Sequence, residues 1–227
     1  MKLTKLLERL DYKVVAGSDN IEITELVNDS RKVVPGSVFV CISGAVSDGH
    51  QYVKDVAERG AAAVIVEKDV EVPEGLTVIK VENTRYALAL MSAAYFGYPA
   101  EKLKTIGITG TKGKTTTTYM VKAILEEVGH KVGLIGTIEA IIGDKTIPSN
   151  NTTPESYTIQ KYFAQMVEAG CDCVVMEVSS QGLMLHRTAG IEFEIGIFTN
   201  LGEDHIGPNE HKDFEDYISS KMKMFAL

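Results

Sequence analysis

Apolar and polar positions along this chain follow two rhythms. Short apolar runs predict buried strands at residues 37–42, 62–66 and 77–81, and again at 105–109, 131–135, 173–178 and 195–199. Between these runs, apolar residues recur at helical spacing. The first ten residues carry leucines at that spacing, interrupted by charge, which predicts a short surface helix. Residues 51–58 predict a second helix capped by Gly60, and 84–95 a third that ends before Gly97 and Pro99. A fourth is expected over 115–128, with Met120, Val121, Ile124, Leu125 and Val128 as its buried stripe and Gly129 as its stop. Pro154 opens a fifth that runs to Glu168 and turns Ile159, Tyr162, Phe163, Met166 and Val167 to one face. The last covers 214–227.

The Phe96-Gly97-Tyr98-Pro99 break divides the pattern into two α/β domains, 1–97 and 98–227. In the second, strands alternate with helices, which predicts a doubly wound parallel sheet with ligands at the carboxyl ends of its strands. Too few strands follow to finish that sheet, so the expectation is a truncated domain.

Composition narrows the function classes. Hydrophobic residues make up 44% of the 227, enough for a real core. The net charge of −8 argues against broad binding to nucleic acid or to an anionic membrane. With no tryptophan and 7% aromatics, a stacking platform for single strands is not expected. No apolar run approaches the roughly 20 residues of a membrane span, and the charged opening is unlike a signal peptide, so the expected location is the cytoplasm. Cys41, Cys171 and Cys173 sit in or beside apolar runs and read as reduced packing thiols, since Cys171-Asp172-Cys173 lacks zinc-ligand spacing.

The sharpest chemical signal is Gly107-Ile108-Thr109-Gly110-Thr111-Lys112-Gly113-Lys114-Thr115-Thr116. A strand enters a glycine-rich turn whose amides can face phosphate oxygens. Lys114 then supplies charge for β- and γ-phosphates, and the Thr115 hydroxyl can reach Mg²⁺. Ile108 stands where the strict G-x-x-x-x-G-K-[ST] pattern has its first glycine, and Gly110 supplies the loop's flexibility instead. Phosphoryl transfer also needs metal ligands. Glu177, in Glu177-Val178-Ser179-Ser180, ends a strand where it would face Thr115. Thr199-Asn200-Leu201-Gly202-Glu203-Asp204-His205 ends the next; by chemistry alone, His205 reads as a phosphate or structural contact.

Together, Gly110 to Thr116, Glu177 to Ser180 and Thr199-Asn200-Leu201 with Asp204-His205 resemble the central domain of the Mur ligases, the ATP-dependent amide-forming enzymes of peptidoglycan precursor synthesis. The run from Asn28 to Val40, followed by Asp48-Gly49-His50, resembles their uridine-binding amino-terminal domain. Asn151-Thr152-Thr153-Pro154-Glu155 and His186-Arg187 resemble the members that add the third residue of the peptide. The resemblance implies a small uridine-binding α/β domain followed by an incomplete P-loop ATPase domain, without the carboxyl-terminal domain.

The implied reaction adds L-lysine or meso-diaminopimelate to UDP-N-acetylmuramoyl-L-alanyl-D-glutamate through an acyl phosphate, with ATP and Mg²⁺ as cofactors. The chain alone is expected to be inactive and monomeric. The resemblance gives Gly110, Thr111, Lys112, Gly113, Lys114, Thr115 and Thr116 to ATP, and Thr115, Glu177 and His205 to Mg²⁺. Asn28 and Ser30 would contact the uridine diphosphate, while Asn151, Thr152, Thr153, Ser179 and Arg187 would hold the rest of the nucleotide substrate. Lys221 matches the family's carbamylated lysine, and Lys223 lies two residues away. The Ile206 to His211 loop is longer than the family's commonest one. Lys112 and Ile206-Gly207-Pro208 are similar to some lysine-adding members. Two other readings are a folate polyglutamate ligase, whose loop would read Gly-Lys-Gly-Ser, and a non-catalytic nucleotide-binding remnant.

Overall fold

A computed structural model describes residues 1–44, 47–202, 204, 206–207 and 210–225. The chain divides into two compact units, Met1–Tyr95 and Phe96–Leu227.

The first unit is built from α1 (Leu3–Leu6), β1 (Lys13–Ala16), β2 (Leu26–Val27), β3 (Val38–Val40), α2 (Val53–Glu58), β4 (Ala63–Val66), β5 (Thr77–Lys80) and α3 (Thr84–Tyr95). Its sheet runs β1-β5-β4-β3-β2, parallel except for β1, which lies antiparallel to β5. Strands β3 and β4 are buried along their whole length because both faces are covered, which is why they read as unbroken apolar runs. Val53 and Val56 of α2 pack with Phe39, Val64 and Val78 on one face. Strands β1 and β2 lacked a legible run: β1 is largely exposed and β2 has two residues.

The second unit holds β6 (Lys104–Thr109), α4 (Lys114–Glu127), β7 (Val132–Ile135), β8 (Glu139–Ile142), β9 (Lys145–Pro148), α5 (Ser156–Glu168), β10 (Cys173–Glu177), α6 (Ser180–Met184), β11 (Ile195–Phe198) and α7 (Phe214–Met222). The sheet order is β11-β6-β10-β7-β8-β9. The first four strands are parallel, and β8 and β9 add an antiparallel hairpin. Helices cover both faces. On β10, Val174 and Met176 pack with Ile159, Phe163 and Met166 of α5. Cys173 and Val175 point the other way, to Val121 and Leu125 of α4.

Two expectations about packing fail here. Met120, Ile124 and Val128 are exposed, Ile124 to 62%; α4 meets β6, β10 and β7 through Thr118, Val121 and Leu125, a narrower stripe than the sequence suggested. β11 is exposed and not buried, because it is the sheet's edge strand. The last helix is also shorter than expected, ending at Met222 with a 3-10 turn after it. All three cysteines are buried free thiols. Among the described residues, no helix is long and apolar enough to cross a membrane.

Candidate active site

The carboxyl ends of β6, β7, β10 and β11 bring the chemistry of the second unit together. The loop after β6 needs left-handed backbone at Gly113, with φ of 83°, which glycine adopts without strain. Gly110 has φ of 142°, and a Cβ there would collide with the Thr199 hydroxyl. Gly113 caps α4 without a side chain, so the first amides of a 14-residue helix face outward, a ready anion site.

Residues after β11 hold this loop from outside. Asn200 Oδ1 accepts from the Lys112 amide at 3.0 Å, and Asn200 Nδ2 donates to the Lys112 carbonyl at 2.9 Å. Thr199 Oγ1 donates to the same carbonyl at 2.7 Å. Thr111 Oγ1 lies 2.9 Å from Tyr217 Oη and accepts from the Gly202 amide at 2.9 Å. The Lys114 ammonium folds back onto the loop, donating to the Gly110 and Thr111 carbonyls at 2.9 and 3.2 Å. Burial lowers its pKa, with Glu177 and Asp204 pulling the other way.

Glu177, 1% exposed at the end of β10, receives the Thr115 hydroxyl at 2.9 Å, the Thr137 amide at 2.9 Å and the Thr137 hydroxyl at 3.0 Å. A buried carboxylate beside a threonine hydroxyl is a hard oxygen set of the kind that suits Mg²⁺. The residues present fit such an ion, which Glu177 and Thr115 would hold. His205, the third expected ligand, lies outside the described residues.

Lys221 on α7 is buried to 1% exposure and donates to the Gly110 carbonyl at 3.0 Å. Its ammonium sits 4.4 Å from the centre of the Tyr217 ring. Burial first, and the Lys114 charge second, bring its pKa down to about 8, so that roughly a tenth is neutral amine at pH 7. Lys223 lies in the 3-10 turn and is exposed.

Lys114 also lines a cavity of about 170 Å³ with the expected substrate residues Asn151, Thr152, Thr153, Ser179 and Arg187. Thr153 is the buried pivot. Its hydroxyl donates to the Glu177 carbonyl at 3.0 Å and accepts from the Ser179 amide at 2.9 Å. Ser179 caps α6 by accepting from the Gly182 amide at 3.0 Å. Arg187 donates to the Thr153 carbonyl at 3.0 Å and pairs with Glu155 at 2.7 Å. Its Nε is buried with no hydrogen-bond partner among the described residues, as is Nε2 of His211, which lines the same cavity.

Sequence reasoning missed Thr137, Tyr217 and His211. Thr137 and Tyr217 bond to partners 40 and 106 residues away, and His211, although paired locally with Asp216, meets the cavity residues only through the fold, so no local pattern announces any of them. It also left Thr199 and Asn200 without the loop-holding contacts they make.

In the first unit, Asn28 and Ser30 line a separate cavity of about 530 Å³ with Tyr52 and Arg59. Asp29 shapes its rim by accepting from the Arg31 amide at 3.1 Å. Asp48 is bound by Lys68 and His50, each at 2.6 Å, which hold its pKa well below the usual carboxylate range. His50 Nε2 accepts from the Glu67 amide at 3.1 Å, so its Nδ1 carries the proton given to Asp48. The Asp48-Gly49-His50 segment thus fixes its own loop.

Residues 108–227 match the family model described as Mur ligase middle domain, and residues 22–96 match that described as Mur ligase family, catalytic domain. The chain belongs to the Mur ligase family. This Mur ligase is 49% identical over 225 residues to the UDP-N-acetylmuramoyl-L-alanyl-D-glutamate--2,6-diaminopimelate ligase of Clostridium perfringens, covering 99% of this chain and 46% of that one. It is 50% identical over 225 residues to a ligase of the same name, number 1, from Clostridium acetobutylicum, with the same coverage of each chain. A solved structure bearing that enzyme name superposes with a TM-score of 0.81 at 23% identity, over 99% of this Mur ligase and 45% of the other chain. The chain spans about half the length of the curated relatives it matches.

Proposed function

We propose that this chain carries the uridine-nucleotide and ATP sites of a ligase that adds meso-diaminopimelate to UDP-N-acetylmuramoyl-L-alanyl-D-glutamate. The observation that carries this reading is the shared cavity, in which Lys114 of the phosphate loop lines one space with Asn151, Thr152, Thr153, Ser179 and Arg187. The names of the relatives favour diaminopimelate over lysine as the incoming residue.

In this reading the terminal D-glutamate carboxylate attacks the γ-phosphate of ATP, forming an acyl phosphate and releasing ADP. The incoming amine then displaces inorganic phosphate, forms the amide and loses a proton. Lys114 and the first amides of α4 hold the phosphates and offset charge on the transferring group. Thr115 and Glu177 hold Mg²⁺, with His205 as a third ligand; the ion supplies Lewis-acid stabilisation of the phosphoryl oxygens. Lys221, neutral for part of the time, takes up CO₂ and becomes a carboxylate beside the loop. Asn28 and Ser30 contact the uridine diphosphate. Arg187 and Ser179, with the Asn151 to Thr153 loop, hold the remainder of that substrate.

Calorimetric titration of the purified chain with UDP-N-acetylmuramoyl-L-alanyl-D-glutamate tests the assignment, with UDP-glucose as control. Selective binding of the dipeptide nucleotide supports it. Equal binding of both, or of neither by a folded chain, contradicts it.

A further inference from the structure

Thr137 stands two residues beyond the end of β7, where it touches two groups that serve different ligands. Its hydroxyl is 3.0 Å from Glu177 Oε2 and 3.0 Å from Thr152 Oγ1. Its backbone amide donates to the other Glu177 oxygen at 2.9 Å, which fixes the residue in place whichever way the hydroxyl points. A hydroxyl has one proton, so Thr137 donates to Glu177 or to Thr152, never to both.

Glu177 Oε2 already accepts two hydroxyls, those of Thr115 and Thr137. The charged oxygen is the stronger acceptor, so in this arrangement Thr137 donates to it and Thr152 donates to Thr137. Once Oε2 is also a cation ligand, its lone pairs no longer serve both hydroxyls. Thr115 stays beside the ion as a ligand, whereas Thr137 has an alternative acceptor in Thr152. Turning the Thr137 proton toward Thr152 reverses that hydrogen bond and frees the Thr152 proton for an acceptor in the cavity that Thr152 lines.

We infer that Thr137 is a positioning residue that couples cation and nucleotide binding at Thr115 and Glu177 to binding of the acceptor substrate at Thr152. The inference rests on the functional reading above, because it takes Glu177 and Thr115 as the cation ligands. Coupling through one hydroxyl is reciprocal: each ligand strengthens the other by the same factor.

The test is calorimetric titration of the purified chain with Mg²⁺ and β,γ-imido-ATP, with and without saturating UDP-N-acetylmuramoyl-L-alanyl-D-glutamate. The wild-type chain is expected to bind the nucleotide about fivefold or more tightly when the second ligand is present. Thr137→Val, which keeps the shape and the amide but has no hydroxyl, is expected to bring that ratio to about one. Thr137→Ser is expected to restore it. The ratio is taken within each variant, so any loss of affinity for one ligand alone cancels, and a purely structural role would leave the ratio unmoved. An unchanged ratio in Thr137→Val, or no coupling in a wild-type chain that binds both ligands, overturns the inference alone. A folded wild-type chain that binds neither ligand overturns the functional reading, and the inference falls with it.

Discussion

Thr115 and Glu177 lie 62 residues apart in the chain, yet the threonine hydroxyl donates to the glutamate carboxylate at 2.9 Å. The pair exists because β6 and β10 run parallel and adjacent, which brings the loop after β6 and the end of β10 to the same edge of the sheet. Glu177→Gln keeps the size of the side chain but removes its charge. We expect it to weaken Mg²⁺-dependent nucleotide binding about 10- to 100-fold, as read by calorimetry with and without Mg²⁺. An unchanged Mg²⁺ dependence would remove Glu177 from the ion's ligands.

Lys221 gives a pH signature. Its folded pKa of about 8 lies below the 10.5 of an unperturbed lysine. Between those values the unfolded chain binds the additional proton, so stability rises with pH across that window and gains nothing further from this group above it. Lys221→Met is expected to flatten the rise in denaturation midpoints measured from pH 8 to pH 10.5. An identical rise in the variant would assign the effect to other groups.

The same neutral amine is the form that reacts with CO₂, giving a carbamate and a proton. With ¹³C-labelled bicarbonate, a carbamate resonance is expected in the wild-type chain and in Lys223→Met, and not in Lys221→Met. The opposite pattern would move the modification to Lys223.

Tyr217 connects α7 to the phosphate loop through the Thr111 hydroxyl at 2.9 Å, and its ring lies beneath the Lys221 ammonium. Tyr217→Phe keeps the ring and loses the hydrogen bond. The expected cost is about 1 kcal/mol in chemical denaturation. A cost near zero would mean that Thr111 is held well enough by Gly202 alone.

The two faces of the second unit predict opposite responses to substitution. Phe163 is fully buried between α5 and the sheet, and Phe163→Ala should cost about 3–5 kcal/mol. Ile124 is exposed on α4, and Ile124→Lys should stay within about 0.5 kcal/mol in the same denaturation experiment. A large loss at Ile124 would restore the buried stripe that the sequence suggested.

The contrast shows what a linear sequence can reveal. Parallel strands such as β6 and β10 announce themselves because burial on both faces demands unbroken apolar runs, and the Gly113-Lys114-Thr115 turn because one loop carries the entire phosphate cradle. Helix α4 misled because an apolar stripe does not say how wide a surface will cover it. The β8–β9 hairpin escaped because its pattern is short and half-exposed. Thr137, Tyr217 and His211 depend on which distant residues the fold brings near, and that is decided by strand order.

In the proposed function one cavity serves two ligands, with Lys114 on the nucleotide and Arg187 on the acceptor. The most direct test is to titrate Lys114→Ala and Arg187→Ala separately with β,γ-imido-ATP in Mg²⁺ and with UDP-N-acetylmuramoyl-L-alanyl-D-glutamate. A crossed result is expected, in which Lys114→Ala loses the nucleotide and keeps the acceptor, while Arg187→Ala does the reverse. Folded variants that each lose both ligands, or that each keep both, would contradict it.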